Sequence, residues 1–548
     1  GSAIGRMLAA DVDWRTSTDH KKIGRLFIGV GMLAFVATIV VNLIASIERL
    51  DGASTTFDTD AFVQLVGAQQ LGLVFGTALP LTAGLAIAVV PLQLGARSLA
   101  FARLASAGMY LWLGGLVLSV IALASDGGVL GGNSDMVDLY LAAVALMALG
   151  FIAIGTSLAT SVLTTRAPGM TMRRVPFFAF SALVYGIGLV VAMPVLIGAI
   201  IYLYVDHRSG DRTAFGGNED IVEWAGWAFS APAACLFVIP AIGVFAELLG
   251  PTFKQRVPLR GVVFAGLGLV GVSALAATTQ QLRFAVPWQD SEDATTKIGD
   301  GLPWLVFHGL PLLGLTVVFA LMALVAKPRK NDEGETIRPN ITAAFLFAFC
   351  GFGMIFVGVG GAALEPIVDL GLIGTVFAEG VLVYLAYGAA LGVLGGVAYW
   401  APKLWGKELE TKKVAPLALL GVGGTVLACF PLYIAGFLDQ PAGLEYADDG
   451  LAIWNILVLV GHGLMALTVL AFVGLLASTV FSDGDDAVDD PHGGHTIEWS
   501  TTSPAPAANY VPFVRTGNQL FISGQLPMEA GKIAFTGKLG GGVSVDDG

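Results

Sequence analysis

Between Thr375 and Trp400 stand 26 residues of which only Glu379 ionises at neutral pH. A helix of that length and polarity spans a bilayer. It stops at Ala401-Pro402-Lys403-Leu404-Trp405-Gly406-Lys407, a basic and aromatic pattern that belongs at a membrane interface. A chain carrying such a run folds around it as a buried membrane helix or not at all.

The run is one of twelve. Apolar stretches recur from Ile23–Ile47 through Leu71–Ala96, Val222–Leu249 and Ile373–Trp400 to Leu451–Phe481, in a 548-residue chain of mean hydropathy +0.77 that is 55% hydrophobic. Only 13% of the residues are charged, and they lie between the runs. The reading is all-α: a polytopic bundle of twelve transmembrane helices over residues 23–481, preceded by a polar, basic segment 1–22 that has no signal-peptide character. The 72 glycines suit close helix approach. With the N-terminus placed in the cytoplasm, inner segments hold 21 Lys and Arg against five outside, namely Arg49, Arg208, Arg212, Arg283 and Lys297. That bias predicts both termini inside, in the plasma membrane of a prokaryote, with lipid as the first partner. The net charge of −12 sits in loops and tail and argues against nucleic acid. Cys235, Cys350 and Cys429 are isolated in apolar runs and read as packing residues.

Past Phe481 the pattern changes. Residues 482–509 read as an acidic, disordered linker. His492 and His495 lack the partners of a metal site and read as solvated. The segment Val514 to Pro527, Val-Arg-x-Gly-Asn-Gln-Leu-Phe-Ile-Ser-Gly-Gln-Leu-Pro, resembles the opening strands of the Rid/YjgF deaminase family. Residues 510–548 are too few for such a domain, and the resemblance implies that the family's catalytic arginine is not among them.

The membrane part resembles subunit I of the heme-copper (cytochrome c) oxidases from Trp14 to about Ser478. The tenth run matches that family's tenth helix at Thr375, Phe377, Tyr384, Tyr399, Trp400, Pro402, Lys403 and Gly406. Further ordered matches are Ser17-Thr18-Asp19-His20-Lys21, Pro91-Leu92-Gln93-Leu94-Gly95-Ala96-Arg97, Arg166-Ala167-Pro168-Gly169-Met170-Thr171-Met172 and Trp454-Asn455. The resemblance implies the fold, membership of a respiratory complex with other subunits, and, for a typical member, two hemes and a copper.

Position by position, the ligands implied for those cofactors are replaced. The heme histidine of the second helix falls on Gln69, and those of the tenth on Val381 and Val383, or on Gly380 and Leu382 if the gap is placed differently. The copper histidines fall on Ala231 and on Thr279 and Gln280. The His-Asp pair near magnesium falls on Ile373 and Gly374, the propionate arginines on Ala442 and Gly443, and the channel lysine on or beside Phe307. No imidazole stands at any of six ligand positions, so the expectation is no cofactor, no catalytic residue and no metal site. Polar groups that remain at membrane depth are Glu379, Gln69, Gln70, His308 and His462, a possible residual polar site. In that reading His308 and His462 satisfy helix carbonyls, and Phe75, Phe307, Phe377 and Tyr387 fill the space the hemes would occupy. Three functions compete: a cofactor-free structural or assembly subunit of a respiratory complex, an active terminal oxidase that reduces oxygen and pumps protons, and transport of a small solute, lipid or proton through the vacated heme bed. The first is the one the ligand positions favour.

Overall fold

The computed structural model describes residues 19–50, 56–128, 131–209, 226–277, 301–330, 334–443, 450–482 and 486–506, with four short strands beyond them. It divides into a membrane unit, Gly1–Ala505, and a second unit, Pro506–Gly548.

Twelve helices of the first unit are long and apolar enough to cross a membrane: α1 His20–Glu48, α2 Thr59–Leu94, α3 Ala102–Leu123, α4 Ser134–Thr164, α5 Phe177–Ser209, α6 Ala233–Phe253, α7 Arg260–Ala277, α8 Gly301–Val325, α9 Ala343–Leu364, α10 Phe377–Trp405, α11 Thr411–Phe437 and α12 Ala452–Val480. Local chemistry sets their ends. Asp19 caps α1 by accepting from the Lys21 N–H at 3.0 Å, and Thr342 caps α9 by accepting from Phe345 N–H at 3.2 Å. α2 begins twelve residues before the expected Leu71, because Asp58 caps it with a bond from the Ala61 N–H. Gly95 and Gly406 end α2 and α10 at φ of 64° and 72°, a region open to glycine. The sixth helix runs from Ala233 to Phe253, later at both ends than its apolar run, and follows Pro232.

α2, α6 and α10 are the axis of the bundle. The most apolar 18-residue stretch of each is buried throughout, whereas the corresponding stretch of α3 is one third buried. A helix that is apolar all round belongs in an interior. Glycines let neighbours close on α10: a Cβ at Gly351 of α9 would stand 2.5 Å from Gly392 N and 2.6 Å from Gly388 O. α2 is interrupted by a π-helical turn, Gly72–Ala78, and α8 by another, Leu305–Gly309. The Phe75 carbonyl in the first of these accepts from Trp112 Nε1 at 2.7 Å.

One expectation fails. The stretch read as a disordered linker is folded back on the membrane unit over residues 486–505. Glu498 and Trp499 are 1% and 4% exposed, and Lys403 donates to the Thr501 carbonyl. The linker's acidity hid two anchors, a carboxylate with buried donors to meet and an indole with an aromatic wall to lie on. His492, expected in solvent, stacks on Tyr399 with centroids 5.1 Å apart.

The second unit holds two antiparallel strand pairs, Phe513–Thr516 with Gln519–Ile522 and Met528–Glu529 with Lys532–Ile533. The rest of 510–548 lies outside the described residues.

Candidate functional site

The basic loops lie at one end of the bundle. At the opposite end, α1 finishes and α10 starts. Glu379 is in the first turn of α10, where the helix dipole favours an anion, and Arg49 follows the last turn of α1, where it favours a cation. They pair: Arg49 Nη1 lies 2.8 Å from Glu379 Oε2 and 3.0 Å from Oε1. Gln69 of α2 donates from Nε2 to the same Oε1 at 2.8 Å. The guanidinium also lies 5.4 Å from the Phe62 ring, and the Arg49 carbonyl accepts from Asn455 Nδ2 of α12. Asn455 in turn accepts from Gln440. Arg49 and Gln69 are 2% and 1% exposed, so the whole knot is inside the protein.

Two turns deeper along α1 and α10 is a second layer. Asn42 Nδ2 donates to the Tyr387 hydroxyl at 3.1 Å, and that hydroxyl lies 2.7 Å from His462 Nδ1. The amide occupies an acceptor position of the phenol, so the phenol proton goes to Nδ1 and the ring keeps its own hydrogen on Nε2. Asn42, Tyr387 and His462 are each 0% exposed. His462 therefore meets a tyrosine and not the helix carbonyl expected of it.

A cavity of about 230 Å³ lies beside the start of α10 and is lined by Ser230, Ala231, His308, Glu365, Ile373 and Gly374. It joins three positions that the sequence matched to copper and magnesium ligands. His308 Nδ1 is buried there without a hydrogen-bond partner among the described residues. His308 and His462 are set in different surroundings.

The structure thus joins Gln69 to Glu379 and leaves Gln70 exposed. Val381 and Val383 are buried on α10 at 1% and 0% exposure. Thr279 and Gln280 lie outside the described residues. Phe75, Phe307, Phe377 and Tyr387 are all buried, at 0 to 5% exposure; Phe377 stacks on Tyr433 and Tyr387 meets Phe35 edge-on. The sequence marks Arg49 only as an outer-loop cation, Asn455 only as part of a family match, and Asn42 not at all. The first sits in what reads as a loop, and single asparagines inside apolar runs gave the only other signal.

As a bed for heme iron this donor set does not fit. Iron in heme takes imidazole, thiolate, thioether or phenolate. Here the positions carry two valines and an amide whose nitrogen is already donating to Glu379. The copper positions carry a methyl, a hydroxyl and an amide, in Ala231, Thr279 and Gln280.

Comparison with known proteins bears on the whole bundle. The profile of the cytochrome C and quinol oxidase polypeptide I family matches residues 22–464. A putative cytochrome c oxidase subunit 1-beta of Streptomyces avermitilis is 29% identical, over 94% of this chain and 92% of its own. Cytochrome c oxidase subunit 1 of Bacillus subtilis is 27% identical, over 94% and 83%. A cytochrome bo(3) ubiquinol oxidase subunit 1 of Buchnera aphidicola is 26% identical, over 92% and 78%.

Proposed function

The chain belongs to the cytochrome c and quinol oxidase polypeptide I family, and from that premise we propose that it is a cofactor-free member, a structural or assembly subunit of a respiratory membrane complex. The observation that carries this reading is the Arg49–Glu379–Gln69 knot. The side chain at a heme-ligand position is engaged in a protein-only network that ties α1, α2 and α10 together. Tyr387, Asn42 and His462 add a second tie, from α1 and α10 to α12. These cross-links supply from side chains what a ligated prosthetic group supplies to its flanking helices, a fixed spacing. The basic loops support an orientation with both termini in the cytoplasm of a prokaryote. The unit 506–548 carries the Rid-like stretch Val514 to Pro527.

The test is an optical spectrum and a metal analysis of protein purified from its native membranes with its partners attached. The expected result is co-purifying oxidase-type subunits, no Soret band from this chain and no stoichiometric copper. Oxygen consumption with reduced cytochrome c by the chain alone would overturn the reading. Transport remains the second reading, on the strength of the cavity at His308. Solute flux in vesicles that is abolished by His308→Leu would favour it.

A further inference from the structure

Residues 486–505 lie across the basic end of the bundle. Ala487 N–H donates to Gly406 O at 2.8 Å, and Ala505 N–H to Lys403 O at 3.0 Å. Lys403 Nζ donates to the carbonyls of Thr501 and Thr502 at 2.5 and 3.3 Å and lies 5.3 Å from the Trp499 ring. Trp499 meets Tyr399 edge-on at 4.9 Å. The segment sits on the ends of the three axial helices. Ile497 faces Gly95 of α2, His495 faces Gly250 of α6, and Pro504 faces Gly406 at the end of α10. It is therefore a plug over the part of the bundle that meets no lipid.

Glu498 is at its centre. One oxygen, Oε1, is surrounded by donors: Thr496 Oγ1 at 2.7 Å, Trp400 Nε1 at 3.1 Å and Gln93 Nε2 at 3.3 Å. The other, Oε2, is buried with no hydrogen-bond partner among the described residues, on a residue 1% exposed. An ionised carboxylate carries charge on both oxygens, and a bare buried one is costly. A protonated carboxyl has no such demand and needs one acceptor for its hydrogen.

Glu247 of α6 and Glu498 repel one another, and Glu247 Oε2 is held by the Phe178 N–H at 3.1 Å. Asp489 and Asp490 bring two further carboxylates from the segment itself. The cations nearby are engaged elsewhere: Lys403 with backbone carbonyls, Arg260 of α7 with Val175 O and the Phe177 ring, and Lys407 with Asp486. Arg256 stands by His495, and burial pushes His492 and His495 toward their neutral forms. None of these cations donates to Glu498 among the described residues, and a proton is the smallest ligand that relieves its bare oxygen.

We propose that Glu498 Oε2 is a proton-binding site, and that this proton latches residues 486–505 onto the basic end of the bundle. The proton goes on from bulk water and returns to it. The undocked segment leaves Glu498 an ordinary solvated carboxylate.

The test uses the full chain in lipid nanodiscs and reads two signals. Backbone hydrogen exchange of residues 486–505, corrected for its intrinsic pH dependence, reports docking. The infrared carbonyl band of a buried carboxylic acid, which moves in D2O, reports the proton. Above pH 6.5, protection should fall by up to about tenfold per pH unit until the docked carboxyl ionises, then level off, because one proton is lost on undocking. Glu498→Gln, a neutral isostere, should keep protection, remove its fall above pH 6.5 and delete the acid band. Glu247→Gln should bring the levelling-off to lower pH by removing a neighbouring charge. The proposal is overturned if wild-type protection is flat across neutral and alkaline pH. It is equally overturned if Glu498→Gln loses protection at every pH, or if the acid band survives that change.

Discussion

Arg49 and Glu379 stand 330 positions apart in sequence and 2.8 Å apart in space, at the end of α1 and the start of α10. The pair is buried, and that sets what its removal does. Taking away one partner leaves a desolvated charge with no counterion, which costs about 3–5 kcal/mol. Glu379→Ala or Arg49→Ala should each lower thermal stability in detergent by that amount. Arg49→Met combined with Glu379→Leu should recover most of it, because packed apolar side chains of similar volume replace a buried ion pair at little loss. Equal and additive losses in the two singles and the double would show that the charges do not depend on each other.

The Tyr387 hydroxyl is the hub of the deeper layer. Tyr387→Phe keeps the ring packing on Phe35 and strands Asn42 Nδ2 and His462 Nδ1 in an apolar interior. The expected cost is about 1–3 kcal/mol. His462→Leu should cost less in the Tyr387→Phe background than in wild type, since neighbours in one network are not additive. Additivity of the two changes in denaturation midpoints would mean that the 2.7 Å contact carries no stability.

Much of this architecture is written in hydropathy. Runs such as Thr375–Trp400 declare the twelve helices, and Trp400, Pro402, Lys403 and Gly406 declare which bundle they build. Glu379 was visible as an oddity, but its partner was not. Arg49 follows an apolar run at a place where arginine is usually solvated, and only the fold brings it to α10. The plug escaped notice for a related reason. Acidic and glycine-bearing composition over residues 482–509 describes solvated chain on average, whereas two residues, Glu498 and Trp499, fix the segment. Periodicity reports helices and is silent on a contact made by single residues.

His492 gives the plug an acid limit. Burial between Tyr399 and Trp499 holds its imidazole down to about 4, against an ordinary 6.5. The docked state thus binds fewer protons than the undocked one between those values. Its contribution is fully present above pH 6.5 and is lost as pH falls through that window toward 4. Burial raises Glu498 instead, so its contribution runs the other way, fully present below 4.5 and lost as pH rises. The two oppose each other between pH 4.5 and 6.5. In the Glu498→Gln background, where nothing opposes it, exchange protection of residues 486–505 should therefore drop as pH falls from 6.5 toward 4, and adding His492→Phe should reduce that drop, His495 carrying what remains. An acid limb left unchanged by His492→Phe would place the sensitive group elsewhere.

The second unit offers strand pairs of four and two residues. Isolated hairpins are marginal in water without a second layer to cover them. Deleting 506–548 should leave the melting temperature of the membrane unit unchanged, and the isolated segment should show no imine deamination. Turnover by that segment would make it a functional module.

The redox question is decided by donor chemistry and by space, and the two can be separated. Gln69, Val381 and Val383 offer no nitrogen that binds heme iron, and Ala231, Thr279 and Gln280 none that binds copper as imidazole does. Protein purified from membranes should show no Soret band. Restoring the donors alone, in Gln69→His with Val383→His, tests the second factor. Val383 is 0% exposed, its neighbours Tyr384 and Tyr387 are 2% and 0% exposed, and Gln69 is held by Glu379. A porphyrin inserted there must displace packed side chains, and cores resist overpacking at about 1–3 kcal/mol for even a few added methylenes. The double variant should remain heme-free or lose stability on heme addition. If it binds one heme per chain in a bis-imidazole spectrum, the slot is open and only the ligands were exchanged. If wild type itself carries heme, and His308→Ala or His462→Ala alone removes it, the cofactor-free reading fails and an electron-transfer role takes its place.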